Sequence, residues 1–359
     1  AQEKLECVAD YFLDFEREIY NGVDDSILRF IAGEMRPIRL ARGKTPYNFF
    51  LSNILPNTLD LHSKSKSQNL QKSQNQLLQN LQNPHSHTSH SKQNPQNIKK
   101  NQLQKINILA YGAQDKTTLC YASKEASSHN ANVMLSPYIG DLSSIATQEK
   151  YLSVMEFFSH IYDFAPSVLV SDFHPRYESV RFAKQMQENL AQKSETKHLQ
   201  IYHHHAHLCA ILGEVATSAD DEILGIIWDG SGLGENGEIW GGEFLFGGFR
   251  EVHRVGHFQE FSLYGGEVAI KEIWRVGYAL SKLCGNKKMQ AKYETYFQNN
   301  ELLKIALQKG INSHKTTSVG RLFDGVASLM GILQSTSYEG QSGALIEELY
   351  YQSFGLQDS

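Results

Sequence analysis

The chain has 359 residues, 41% of them hydrophobic and 20% charged, and its 34 basic and 39 acidic side chains leave a formal net charge of -5. That length suits two or three domains with sizeable cores. With no basic stripe and no apolar run long enough to cross a bilayer, the composition speaks against DNA or a membrane as partner. The four cysteines, Cys7, Cys120, Cys209 and Cys284, form no close pair. That argues against a disulfide framework or a zinc knuckle and reads each as a small buried hydrophobe. A chain that opens on Ala, with no basic-then-apolar leader, reads as a cytoplasmic piece of something longer.

Residues 1–55 read as folded. In "RFIAGEMRPIRLARG" the apolar residues alternate around Gly33 and Pro37, which predicts a strand, a turn and a second strand. Composition then changes. Residues 56–105 are dominated by Gln, Asn, Ser, Lys and His, and such a segment buries too little apolar area to offset its ordering entropy. A disordered insert is expected there, with its histidines His85, His87 and His90 as compositional noise.

Order resumes at "INILAYGAQDKTTLCYAS", where Ile106, Ile108 and Ala110 lead into a turn at Gly112 and Thr118, Cys120 and Ala122 lead out. This predicts a hairpin. A helix is expected over 148–164 with Leu152, Met155, Phe158 and Ile161 on one face. "SVLVSDFHP" reads as a short buried strand, and a helix follows over 177–192. In "IYHHHAHLCA", Leu208, Ile211, Leu212 and Val215 give helical spacing to 203–216. His203 and His207 are then one turn apart on one face and can share a divalent metal, at about 2.0–2.1 Å for zinc. His204 and His205 point elsewhere, one of them to orient a ligand or cap the helix. A polar helix start packed with hydrogen-bonded histidines explains the same residues.

In "ILGIIWDGSGLGENGEIWGGEFLFGGF", Leu224, Ile226 and Ile227 predict a strand that stops at Asp229-Gly230-Ser231-Gly232. A turn around Asn236-Gly237 leads to a second strand, and "GGEFLFGGF" predicts a third. Glycines in such a turn let backbone N–H groups approach phosphate, and Asp229 can hold a bridging cation. A plain hairpin with Asn-Gly turn chemistry is the alternative. "YGAQDKTT" and "WDGSGLG" together give two strand–glycine-turn–strand elements. That is the layout of the actin and sugar-kinase superfamily, in which two lobes each offer a loop to a phosphate. Neither element opens a helix with G-x-G-x-x-G, which disfavours a dinucleotide site.

"HHHAH", "DGSGLGENGEIWGGEFL", "TTSVGRLFDGVASLMGI" and "SYEGQSGALIEE", in this order, closely resemble the HypF family of carbamoyltransferases in nickel–iron hydrogenase maturation. "LSPYIGDL" (135–142) and "SDFHPRY" (171–177) fit it too, and residues 17–43 resemble the end of its YrdC-like nucleotide-binding domain. The resemblance implies an α/β fold. Residues 1–55 would be the tail of an α+β YrdC-like domain, and 106–359 a two-lobed, actin-like Kae1-like domain. That domain stops ahead of the family's Ser-Gly-Gly loop and late Asn-Asp-Gly.

The chemistry implied starts from carbamoyl phosphate and ATP. They give carbamoyl-adenylate, whose carbamoyl group passes to the C-terminal cysteine of a HypE-type partner for cyanide synthesis. The resemblance assigns a zinc or iron ion to His203, His207 and Asp229, acting as a Lewis acid. It assigns phosphate to Gly230, Ser231, Gly232, Gly234 and Lys116, and the nucleotide side to Glu339. Arg39 and Arg42 either reach a triphosphate or are solvated, and no side chain is singled out as catalytic. Two other readings stay open. One is a tRNA threonylcarbamoyl transferase, whose motif usually reads His-x-Glu-Gly-His; the other is a non-catalytic fragment that binds HypE or nucleotide.

Overall fold

A computed structural model describes residues 7, 8, 10–12, 22–31, 33–52, 105–125, 127–191, 196–215 and 218–354. The expected insert, with His85, His87 and His90, lies outside the described residues except for Lys105. β1 (Ile27–Ile31) and β2 (Glu34–Arg39) form the expected antiparallel hairpin, with Gly33 at φ 84° in the turn.

The first lobe is a six-stranded sheet in the order β3-β6-β5-β4-β7-β8. Its strands are β3 (Tyr47–Ser52), β4 (Lys105–Ala110), β5 (Cys120–Glu125), β6 (Asn130–Leu135), β7 (Val168–Asp172) and β8 (Lys197–Ile201). β4 and β5 pair antiparallel, as the hairpin reading requires, whereas β4, β7 and β8 run parallel. β3 pairs with β6. A strand from within residues 1–55 thus belongs to the sheet that follows the insert, and the sheet crosses the boundary read from composition. β7 is buried along nearly its whole length, as an apolar run in a parallel sheet should be.

α1 (Ile145–Ile161) starts ahead of the expected helix because Ser144 caps it, accepting from the Thr147 N–H. Its buried face is Tyr151, Val154, Met155 and Phe158. Leu152 and Ile161 are exposed instead. The reason is Tyr151: its ring stacks on Phe182 and its hydroxyl donates to the Tyr111 carbonyl at 2.8 Å. α2 (Glu178–Ala191) closes the same core with Phe182 and Ala183.

The second lobe is a five-stranded sheet of β9 (Ile223–Leu233), β10 (Ile239–Gly247), β11 (Val252–His257), β12 (Phe261–Tyr264) and β13 (Ser313–Thr316). Two expectations fail here. β9 does not stop at Asp229 but runs on to Leu233, and "IWGGEFLFG" is one strand rather than two. The ladder instead skips: Trp240 pairs with Gly232 and Gly242 with Trp228. Asp229-Gly230-Ser231 therefore bulges opposite Gly241 alone, a device that re-aims a side chain without ending a strand. α3 (His203–Val215) bridges the lobes. It leaves β8 and lays Leu208 and Leu212 on Ile227, Trp240 and Leu245 of the second sheet. α4 (Trp274–Leu283), α5 (Val319–Met330) and α6 (Gln341–Phe354) belong to this lobe, together with short helices at Val268–Lys271, Lys287–Tyr293 and Glu301–Lys309.

The cysteines also depart from expectation, since Cys7 and Cys284 are exposed and Cys120 and Cys209 half-buried. Among the described residues, no helix is long and apolar enough to cross a membrane.

Candidate metal and phosphate site

Three elements meet at the first turn of α3. β7 ends at Asp172, whose Oδ1 accepts the His174 N–H at 2.8 Å while Oδ2 stands 3.3 Å from His203 Nδ1. The helical period stacks His203 over His207, with their Nε2 atoms 3.2 Å apart. The β9 bulge brings in Asp229. Its Oδ1 accepts the Gly230 N–H at 2.6 Å. Its Oδ2 lies 3.0 Å from His203 Nε2 and 3.8 Å from Nε2 of both His204 and His207. The three residues singled out as ligands are thus brought together, all ligand atoms within 4.8 Å of one another.

The electrostatics follow from this crowding. Burial works against charge on His203, but the Asp172 and Asp229 carboxylates outweigh it and raise the imidazole to about 9. Burial also pushes Asp229 up, and His203 with the Gly230 N–H overcomes it, holding the carboxyl near about 2. Burial pulls His204 down to about 4 and lowers His207 as well. An anionic Asp229 thus faces neutral His204 and His207 and a cationic His203, whose Nε2 proton a bound metal would displace.

The donor set fits a divalent metal. Two atoms sharing a four-coordinate zinc at about 2.0–2.1 Å stand roughly 3.3–3.4 Å apart. The observed separations of 3.0, 3.2 and 3.8 Å bracket that value. Buried Asp229 Oδ2 has no well-aimed hydrogen bond. His203 Nδ1 meets a carboxylate, the arrangement that fixes the tautomer of a ligating histidine and leaves Nε2 free.

Gly230 and Gly232 lie on a strand rather than in the expected turn, and Gly234 follows its end. None of Gly230, Gly232 and Gly234 has positive φ. A Cβ at Gly232 would stand 2.5 Å from His204 Cε1 and 2.9 Å from His203 Cδ2, and one at Gly234 would strike the Trp240 indole. These two glycines admit side chains. Only Gly230 has open space where a Cβ would be. Ser231 sits in the same bulge, unpaired in the ladder and exposed.

Lys116 and Glu339 are brought together, Nζ to Oε1 at 3.0 Å, joining the first-lobe hairpin to the start of α6. Lys116 holds φ at 53°, a left-handed conformation costing a lysine about 1–2 kcal/mol. Glu339 also lines a recess of about 240 Å³ with Arg321, Asp324, Tyr338 and Gly340. Beside Lys116, burial and the Asp141 carboxyl push Asp115 up to about 6. Tyr177 ties these regions together: burial, then the charges of Asp172, Asp115 and Asp229, raise its phenol to about 12. Arg39 and Arg42 turn back on their own segment, donating to the Asp25 and Val23 carbonyls.

Sequence reasoning missed three residues. Asp172 carries the signal of an acid ending a buried strand. Ser318 caps α5, accepting the Arg321 N–H at 3.0 Å, and donates to the Gly230 carbonyl at 2.6 Å. Glu243 has no exposed surface and accepts from the Gly241 and Gly242 N–H groups, the Thr317 hydroxyl and Arg254 Nε. Burial raises its carboxyl, and those donors together hold it below the usual range. Its signal was an acid inside an otherwise apolar strand.

Residues 103–214 match the HypF Kae1-like domain, and residues 225–357 match the second subdomain of the carbamoyltransferase Kae1-like domain. Carbamoyltransferase HypF of Synechocystis sp. is 29% identical over 97% of this chain and 39% of its own length. Carbamoyltransferase HypF2 of Cupriavidus necator is 28% identical over 100% of this chain and 37% of its own. The crystal structure of full-length HypF in the phosphate- and nucleotide-bound form superposes with a TM-score of 0.72 at 27% identity, covering 97% of this chain and 38% of that one. The chain therefore spans about two fifths of the length of the relatives it matches. Both matching models describe HypF domains, which answers the question the shared fold left open between HypF and tRNA-modifying enzymes. The chain belongs to the HypF family.

Proposed function

We propose that this chain is the group-transfer part of a carbamoyltransferase that serves hydrogenase maturation. The observation that carries the reading is the convergence of His203, His207 and Asp229, with Asp172 behind His203. These three residues would hold a zinc or iron ion, which supplies Lewis acidity toward an acyl or phosphate oxygen when bound. The substrate is carbamoyl-adenylate, made from carbamoyl phosphate and ATP at a YrdC-like domain of which residues 1–55 would be the end. The acceptor is the C-terminal cysteine thiolate of a HypE-type protein. Its sulfur attacks the carbamoyl carbon, a C–S bond forms, the C–O bond to phosphate breaks, and AMP leaves with the electron pair.

The residues divide the work of holding that adenylate. Gly230, open on one side, lets a phosphate approach the bulge, and Ser231 lies next to it. Lys116 offers a cation from the opposite lobe once Glu339 releases it. The recess lined by Glu339, Asp324 and Arg321 has the polarity for a nucleoside, with carboxylates for ribose hydroxyls. Gly232 and Gly234 support the site indirectly, through His204 and Trp240.

The double variant His203→Ala, His207→Ala tests the metal. It is expected to abolish metal retained by the purified protein, and unchanged metal content sinks the assignment. Carbamoyl transfer to a HypE-type acceptor is expected from a version carrying the remaining domains of its relatives and little from this chain alone.

A further inference from the structure

His204 has no exposed surface, and neither of its ring nitrogens has a hydrogen-bond partner. An unpaired buried polar group costs about 1–3 kcal/mol, so a histidine here needs a reason that packing does not give. Leucine or phenylalanine would fill the same space against Trp240, whose ring centroid lies 6.0 Å away. Strand β9 nevertheless keeps room for this imidazole: a Cβ on Gly232 would stand 2.5 Å from Cε1 and 2.8 Å from Nδ1. Asp229 Oδ2 stands 3.8 Å from Nε2, and that oxygen is itself buried and without a well-aimed bond.

We propose that His204 is a positioning residue, whose Nε2–H holds the Asp229 carboxylate while His203, His207 and Asp229 carry a metal. The inference rests on the proposed metal site. In the structure Oδ2 leans toward His203 Nε2, 3.0 Å away. An ion shared by those two atoms parts them to roughly 3.3 Å or more. Oδ2 then has to leave His203, and His204 Nε2 is the unpartnered donor standing less than an ångström beyond hydrogen-bond range, about 2.7–3.2 Å. The tautomer protonated at Nε2 points its single N–H at the carboxylate and leaves only a lone pair against Gly232. Asp172 on His203 and His204 on Asp229 would then orient one ligand each. His204 stays outside the ligand set, since the atoms that converge within 4.8 Å belong to His203, His207 and Asp229.

The test is Co2+ binding by this chain, read from the visible bands of the bound ion and from competition with a chelator. His204→Phe keeps a ring and removes the donor, whereas His204→Gln returns an N–H near the Nε2 position. His204→Phe should weaken Co2+ binding about 10–100-fold, the usual effect of losing an outer-sphere partner, with the band pattern unchanged. His204→Gln should recover most of that loss. Metal-free His204→Phe should melt at or above the parent chain, because it deletes two unpaired nitrogens. Should Phe not be accommodated, His204→Asn, whose amide reaches the Nδ1 position, should bind weakly where His204→Gln binds well. Unchanged affinity in His204→Phe overturns the proposal, as does a Gln variant as weak as the Phe variant. A shifted band pattern makes His204 a ligand and overturns it too. A parent chain that binds no Co2+ defeats the metal reading itself, and this inference with it.

Discussion

Replacing Gly232 by Ala examines the histidine site through the strand that faces it. The added methyl carbon would stand 2.5 Å from His204 Cε1, 2.8 Å from its Nδ1 and 2.9 Å from His203 Cδ2. Relaxed carbon contacts are about 3.5–4.0 Å, so the rings have to retreat by roughly 1 Å. His204 has nowhere to go: it has no exposed surface, and Trp240 stands in contact with it. Overpacking of this kind costs about 1–3 kcal/mol, and with two rings struck at once the upper part of that range applies, about 2–3 kcal/mol. Movement of His203 also breaks the 3.0 Å approach to Asp229 and the 3.2 Å approach to His207. Metal affinity should therefore fall by about 10-fold or more, since such sites tolerate roughly 0.5 Å of ligand error. Gly230→Ala is the control two residues away, where a Cβ meets nothing within 4 Å and φ is not positive. It should stay within about 0.5 kcal/mol of the parent chain. Urea unfolding of the metal-free chain and chelator competition measure the two effects. Equal behaviour of the two variants would refute the claim that Gly232 exists to admit the histidines.

Glu243→Ala should destabilise by about 3–5 kcal/mol in urea unfolding, because it leaves the Arg254 guanidinium only Glu238 at 3.4 Å and strips the buried Gly241 and Gly242 N–H groups of their acceptor. Ser318→Ala should cost about 1–2 kcal/mol by the same assay, losing the α5 cap and the donor to the Gly230 carbonyl together; Ser318→Asn should restore the cap alone. Asp115 is raised from 3.8 to about 6, so the stability it contributes is present below about pH 4 and lost as pH rises through 6. Asp115→Asn should match the parent chain at pH 4 and exceed it at pH 7, by about 1 kcal/mol once solvent screening of this exposed loop is allowed for. A gain of equal size at both pH values would show that titration is not the cause.

The parts of this site that are legible in the sequence are those whose partners are close in the chain. His203 and His207 declare themselves through the helical period, which depends only on a spacing of four residues. The β4–β5 hairpin and the apolar β7 are local for the same reason. What the sequence hides is set by partners far along the chain. Asp172 meets His203 across 31 residues, and Ser318 meets Gly230 across 88. β3 joins a sheet whose next strand, among the described residues, begins at Lys105. α1 buries Tyr151 where Leu152 was expected because a carbonyl on the loop after β4 takes its hydroxyl.

The glycines of "WDGSGLG" show the difficulty most sharply. Read locally, three glycines in seven residues mean a turn, because the local reason for glycine is positive φ. No φ among them is positive, and at Gly232 and Gly234 the reason is the missing Cβ, which matters only once His203, His204 and Trp240 have been brought up from elsewhere. The histidine cluster and the glycine cluster are therefore one feature seen twice. On the proposal above, Asp229 completes the buried, unpartnered His204, and Gly232 is needed because the rings of His204 and His203 are there. That mutual dependence ties the packing of the second lobe to the chemistry proposed for it, and it is why removing either residue should be felt first as a change in metal binding.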